Sequence, residues 1–372
     1  MIDYHGIIFA YSARPGLREL VLSRTGASVP FCGRYRLIDF ALSSMRNAGI
    51  RDVGVIMQRD YQSLLDHISN AKSWDMNRKI GGLKLLPPFG LPEYHKGNYT
   101  GTIEALNAVS TYVNSIKQDY IVLMPGDSCV NLDLGDVLKQ HEESGAEITA
   151  VCAEKITGAA RYRYVPDSDN RYAEKLLLGQ TEGDAAGYPS LEIYVISKQL
   201  LQDMMDICRS ENLYSFHRDG LQVMLREGYK INLYIHKGYA ACIDTVESFF
   251  AASLDMLESE NRHSIFPAGR PVRTFGIEGV STYYGEKSHS VKSLVADDCI
   301  IEGSIENCII HAGVRIAEGA QLRNCILMRG TVIEAGVKLE NVITDKYCKI
   351  SSGTELKGSK RLPLLVPKGS IV

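Results

Sequence analysis

No apolar stretch in the 372-residue chain approaches the roughly 20 residues that a membrane span needs. Met1 to Ala10 carries no basic n-region, and Ile7, Ile8 and Phe9 are too short a run for a signal-peptide core. An excess of one charge is also missing. Lys and Arg number 41 against 44 Asp and Glu, a net charge of -3, which argues against a nucleic-acid partner. Small anionic ligands need only a local patch and stay open. Cysteine is sparse and dispersed: nine residues, with no C-x-x-C pair and no metal-like spacing. That usage fits reduced thiols and neither a disulfide framework nor a zinc site. The expectation is a soluble, cytoplasmic protein without membrane or nucleic-acid partners.

Hydrophobic residues make up 45% of the chain and charged residues 23%, ordinary for a globular protein, and the length exceeds what one core usually serves. The first two-thirds alternate strand and helix signals. Gly6 to Ala10, Val53 to Met57 and Tyr120 to Met124 read as buried strands. Leu37 to Ala48 reads as a helix stopped by Gly49, and Thr102 to Ile116 and Glu247 to Leu257 have helical spacing. The alternation predicts an α/β domain over residues 1–260, with a mostly parallel Rossmann-like sheet. Ligands of such sheets bind beyond the carboxyl ends of strands, which places Tyr11 to Gly16 and Gly126-Asp127 at the pocket. Ser73 to Tyr94, rich in Gly and Pro, reads as a mobile surface loop. Residues 261–292, with Pro267 and Pro271, read as a linker or docking segment.

The tail, residues 293–372, is a repeat. Three 17-residue blocks stack in register: Glu306 to Leu322, Arg323 to Leu339 and Glu340 to Leu356. Asn307, Asn324 and Asn341 align, as do Ile316, Ile333 and Ile350, and Gly319, Gly336 and Gly353. Aliphatics fall six apart within a block, as at Ile310, Ile316 and Leu322, so three short sides make one coil of a triangular parallel β-helix. Each coil buries its aliphatics only against its neighbours. The Asn and Gly positions suit corners with positive φ. His311 reads as a corner or surface residue.

The loop after the first strand, Tyr11 to Gly16, has one glycine and alone would not be read as a phosphate cradle. Its surroundings say more. Ala27-Ser28-Val29-Pro30-Phe31-Cys32-Gly33-Arg34-Tyr35-Arg36-Leu37-Ile38-Asp39-Phe40-Ala41-Leu42-Ser43 resembles the motif P-A-V-P-F-G-G-x-x-R-I-I-D-F-x-L-S of the ADP-glucose pyrophosphorylase family. Asn47 to Ile50, Gln58, Tyr99-Thr100-Gly101-Thr102, Gly126-Asp127, Ser190 to Val195 and Gly238-Tyr239 are similar to further motifs, in order. The family joins ATP and glucose 1-phosphate into ADP-glucose and pyrophosphate for glycogen synthesis. The resemblance implies a nucleotidyltransferase domain followed by a left-handed β-helix. It also implies a nucleotide and sugar pocket at Ala10, Gln58, Tyr99, Gly101, Thr102, Ser190 and Tyr194.

The departures carry the functional reading. The family's L-A-G-G-x-G-T-R-L becomes Phe9 to Leu17, so two glycines are replaced by Tyr11 and Ser12. The loop arginine falls on Gly16, with Arg14 nearby but out of register. A phosphate-binding lysine falls on Gly26. Of two metal-binding aspartates, Asp127 persists and the other becomes Cys242, a poor ligand for Mg²⁺. Asp244, two residues on, is a speculative replacement, leaving Asp127 a weak metal site. The sugar-phosphate motif is absent, and Glu174-Lys175 is the nearest candidate. Glu192 replaces a glycine between Ser190 and Tyr194. Nucleotidyl transfer depends on preorganised cations around phosphoryl oxygens, and losing one donor typically costs ~10²–10³ in rate.

The pattern is similar to the family's D-type subunit. The resemblance implies a regulatory or structural chain with little catalysis and no required cofactor, which partners a catalytic C-type subunit in a tetrameric assembly responsive to small-molecule effectors. Two alternatives stay open. One is a weakly active adenylyltransferase using Asp127, displaced ligands and Mg²⁺. The other is an acyltransferase or binding module built on the β-helix. Arg34, Arg36 and Asp39 read as effector or partner contacts, or as a structural ion pair. Tyr35 and Trp74 read as packing residues.

Overall fold

A computed structural model describes residues 3–11, 14–57, 59–79, 81–87, 99, 101–179, 186–276 and 279–372. The amino-terminal domain is built on a nine-stranded sheet. Tyr4–Phe9 lies at its centre, parallel to both Val53–Ile56 and Tyr120–Pro125, and Leu83–Leu86 extends that side in parallel. The apolar runs of these strands are buried because both faces are covered. The other half is antiparallel: Tyr188–Ser197 reverses direction and pairs with Tyr120–Pro125, Ile148–Ala153 and Tyr162–Pro166. The parallel half is the one that the strand–helix alternation foretold.

Two expectations change. Leu83–Leu86 is an edge strand and not part of a mobile loop. Its leucines and lysine hide in a stretch whose glycines and prolines dominate the local signal. The expected helix from Thr102 to Ile116 is two helices, Thr102–Ala108 and Ser110–Ser115, broken where Val109 leaves helical geometry. Ile38–Asn47 ends before Gly49, whose φ of 85° is the left-handed stop expected of it.

The carboxyl-terminal domain is a left-handed parallel β-helix with three five-stranded sheets. Ile301, Ile316, Ile333 and Ile350 stack inward at 0–1% exposure, in the register that the 17-residue period dictates. Asn307, Asn324 and Asn341 sit at φ 51–53°, and Gly319, Gly336 and Gly353 at φ 71–79°. Solenoid pairing starts at Tyr283–Tyr284, within the segment read as a linker. The helix Ser259–Ile265 runs into that segment, and Asn131 Nδ2 donates to the carbonyls of Ile265 and Arg270 at 2.7 and 2.8 Å.

The two domains share a core. Leu17, Phe31, Phe40 and Phe249 pack in one cluster with Ile309, Ile326 and Ile343 of the β-helix. Across the seam, Arg24 donates to both carboxylate oxygens of Asp345 at 2.8 and 2.7 Å, and both side chains are 2% exposed. His311 is buried and not a surface residue, because its coil faces this seam. Among the described residues no helix is long and apolar enough to cross a membrane.

Candidate functional site

The strands deliver their carboxyl ends to one cleft. Phe9, Tyr11 and Arg14 come from the first strand and its loop, Pro125 ends the strand Tyr120–Pro125, and Asp127 follows it. Tyr99, Gly101 and Thr102 lead into a helix, Glu192 and Tyr194 lie on Tyr188–Ser197, and Arg161, Tyr162, Ser215, Phe216 and His217 close the far side. The cleft holds about 250 Å³.

Its centre is an ion pair inside the protein. Arg14 Nε donates to Asp127 Oδ2 at 2.7 Å and Nη2 to Oδ1 at 2.9 Å. The two side chains are 4% and 1% exposed. Burial works against the Arg14 charge, but the adjacent Asp127 carboxylate holds the guanidinium well above its ordinary pKa. The pair is bidentate, the geometry in which arginine and carboxylate match best. Gly26 makes room for it: a Cβ there would lie 3.3 Å from Asp127 Oδ2 and 3.5 Å from Arg14 Cγ. The arginine that looked out of register thus sits on the retained aspartate.

The other positions that depart from the family motifs surround this pair. Cys242 ends the strand Ala240–Cys242, which pairs with Ser128–Val130 and puts Cys242 opposite Ser128, next to Asp127. Burial pushes its thiol up to about 12, so it stays protonated. Asp244 lies beyond the strand end, and its Oδ1 accepts from Ser248 Oγ at 3.3 Å at the start of the helix Val246–Asp255. Among the described residues no three His, Cys, Asp or Glu side chains converge as a metal site. A Mg²⁺ ion at Asp127 would have to displace a guanidinium that engages both carboxylate oxygens, and Cys242 offers it sulfur in place of oxygen. These residues do not fit the ion. Gly16 cannot regain a side chain simply: a Cβ would meet the Asp244 carbonyl at 2.6 Å.

Tyr11 turns its ring into the cleft, where it meets Tyr99 edge-to-face at 5.1 Å and hydrogen-bonds Thr102. Glu192 also faces inward. It sits at φ 57° where the strand register shifts between Ser190 and Ile193, and its N–H donates to Ser190 Oγ at 3.1 Å. A family glycine at this position is explained by that φ. Desolvation pushes the Glu192 carboxyl up to about 7, against the pull of Arg14. Arg161 Nη1 lies 3.9 Å from Glu192 Oε1. Tyr194 anchors the wall through His217 Nε2 at 2.9 Å and Ser190 Oγ at 3.2 Å. Burial lowers His217 to about 3, so the ring is neutral.

Of the pocket candidates, Tyr99, Gly101, Thr102 and Tyr194 line the cleft, and Ser190 supports it from behind. Ala10 is buried in the core, its N–H donating to the Ile56 carbonyl at 2.9 Å. Gln58, Ser12 and Thr100 lie outside the described residues. Gly101 is required sterically, since a Cβ would meet the Tyr214 carbonyl at 2.2 Å. Glu174 and Lys175 are exposed, 3.4 Å from each other, and do not reach the cleft. Asp39 is a buried structural group, accepting from the Arg36 N–H at 2.9 Å and lying 2.5 Å from His67 Nε2. Tyr35 stacks on Phe266, and Trp74 is fully buried. Arg161, Tyr162, Ser215, Phe216 and His217 were not foreseen. They lie far along the chain with no motif: the antiparallel strand Tyr162–Pro166 brings in Arg161 and Tyr162, and the helical turn Phe216–Leu221 brings in Ser215, Phe216 and His217.

The nucleotidyl transferase family profile matches residues 16–259, and the GlmU-like carboxyl-terminal hexapeptide profile matches 279–360. The glycogen biosynthesis protein GlgD of Bacillus subtilis is 33% identical over 98% of this chain and 96% of its own. This chain belongs to the glucose-1-phosphate adenylyltransferase family of nucleotidyl transferases, and it is of the GlgD type. Two further relatives named as glucose-1-phosphate adenylyltransferases, from Geobacillus stearothermophilus and Bacillus thuringiensis, are 29% and 27% identical. They match 82% of this chain, over 80% and 82% of their own lengths. Against that kinship, the Arg14–Asp127 pair is the feature of this chain that bears most directly on chemistry.

Proposed function

We propose that this chain is a non-catalytic subunit in glycogen synthesis, assembling with a catalytic, C-type glucose-1-phosphate adenylyltransferase chain and tuning it. The buried Arg14–Asp127 pair carries the reading. A family active site needs its aspartate free for a metal and its loop open for a triphosphate. Here a tethered cation sits on the aspartate, Tyr11 fills loop space, and the arginine and lysine of the family are absent at Gly16 and Gly26. No cofactor is required for such a role. The free cysteines fit a reducing, cytoplasmic site of action. The seam between the domains is the natural place for an effector to act. Burial and the nearby Arg36 and Arg24 lower Lys346 there to about 7, and an anion would relieve that crowding. A four-chain assembly fits the family.

The test is turnover. The purified chain with ATP, Mg²⁺ and glucose 1-phosphate should make no ADP-glucose above background. Adding it to a C-type chain should change that chain's rate or its substrate affinity, and native mass measurement should show a mixed assembly. ADP-glucose synthesis by the chain alone, abolished in Asp127→Ala, would favour the weakly active alternative.

A further inference from the structure

The cleft retains volume, aromatic walls and polar groups that a plugged catalytic centre does not need. Among the described residues four charged side chains line it: Arg14 and Arg161, and Asp127 and Glu192. Among these described residues two positive and two negative side chains balance, with no excess for a phosphate. Arg14 is spent on Asp127 at 2.7 and 2.9 Å, and Arg161 faces Glu192 at 3.9 Å. Polyphosphate recognition needs the opposite balance, several cations or backbone amides converging on one anion. Glu192 is held in place at some expense. A non-glycine residue in the left-handed region is strained by about 1–3 kcal/mol, and it persists only where its surroundings over-determine it.

The walls suit a different ligand. Tyr162 stacks on the neutral His217 at 3.6 Å and 11°, making a flat platform. Tyr11 and Tyr99 form a second aromatic corner. Among the described residues the hydroxyl of Tyr99 and Nη1 of Arg14 are buried without a hydrogen-bond partner. Buried polar groups of that kind are normally satisfied, by protein, by ordered water or by a bound group. Aromatic faces take the C–H face of a sugar ring. A carboxylate and a guanidinium a few ångströms apart take its hydroxyls, which both donate and accept.

We propose that the cleft is a binding site for one uncharged sugar ring, without metal, and that Glu192 is the residue that excludes a phosphate ester. The inference rests on the non-catalytic reading and names what the idle site holds. About 250 Å³ is slightly below the ~300–1,000 Å³ of pockets for drug-sized ligands and accommodates one ring rather than a nucleoside triphosphate.

Ligand-observed NMR and calorimetry on the full chain test this, in EDTA, with a panel of neutral hexoses and their methyl glycosides against glucose 1-phosphate and inorganic phosphate. At least one neutral sugar should bind saturably, and glucose 1-phosphate about tenfold more weakly or not at all. Glu192→Gln, which keeps size and hydrogen bonding, should bring the phosphate ester up by about tenfold. Tyr162→Ala should lose the neutral sugar, with circular dichroism confirming the fold. No saturable binding by any neutral sugar overturns the proposal. So does wild-type binding of glucose 1-phosphate as tight as that of the sugar, or an unchanged preference in Glu192→Gln. Turnover of ATP and glucose 1-phosphate by the isolated chain would instead overturn the functional reading, so the two failures are distinct.

Discussion

The β-helix and the cleft both hold non-glycine residues at nearly the same left-handed φ, and they use it differently. Asn324 at φ 51° turns a corner, donates to Asn341 Oδ1 at 3.1 Å, and repeats every coil. Asparagine tolerates that region because its short side chain bonds locally. Glu192 at φ 57° has no such excuse: it aims a carboxyl into a cleft and occurs once. Backbone strain in the solenoid is minimised by choice of residue, whereas in the cleft it is retained. The two buried arginine–aspartate pairs differ in the same way. Arg24–Asp345 joins the domains across 321 residues of chain, and Arg14–Asp127 joins two loops that a catalytic site would keep apart. One pair holds architecture together, and the other occupies a site.

The largest expected effect tests whether the solenoid is one cooperative stack. Ile333→Asp puts a carboxylate between coils with no partner, at a cost of more than about 4 kcal/mol, and should unfold the β-helix in a circular-dichroism melt. Survival of a native melt would mean that each coil is stable by itself. Next come the ion pairs. Arg24→Ala and Arg14→Ala should each cost about 3–5 kcal/mol in urea unfolding, because each strips a buried carboxylate of its bidentate guanidinium. Removing Asp127 as well should recover more than half of the Arg14 loss, the coupling that a double-mutant cycle reads. Independent, additive losses would show that the two side chains merely adjoin.

Asn324→Val should cost about 1–2 kcal/mol, through the left-handed penalty, while Asn324→Gly should cost little. The smallest effect has the opposite sign. Glu192→Gly should raise stability by up to about 1 kcal/mol, since it removes the strain. The carboxyl also titrates. Its folded value of about 7 lies above the ordinary carboxyl value of 4.5, so the folded state binds the extra proton. Its contribution is therefore present below about 4.5 and lost as pH rises through about 7. Glu192→Gln should flatten stability over that window, and an unchanged pH profile would place the carboxyl in solvent.

Local chemistry repeated along the chain was legible early. The coil corners, inward isoleucines and parallel strands follow from period, side-chain volume and φ preference, which neighbours in sequence share. The cleft was legible only in outline. Asp127, Cys242, Gly26 and Tyr11 were named from aligned motifs, and Glu192 was flagged as out of place. Leu83–Leu86 escaped notice because Gly81, Gly82, Pro87 and Pro88 mask its strand signal.

The sequence by itself determined a two-domain chain, a solenoid with its register, and a list of positions that depart from the family's motifs. Those are properties of residue type and spacing. Tertiary structure alone decided what stands in their place. Arg14 meets Asp127 across 113 residues, while Arg161 and Tyr162 enter by the antiparallel half of the sheet and His217 by the helical turn Phe216–Leu221, none of which a motif announces. An ion pair is a statement about distance and burial, and the order of residues along the chain fixes neither until the strands have been set side by side.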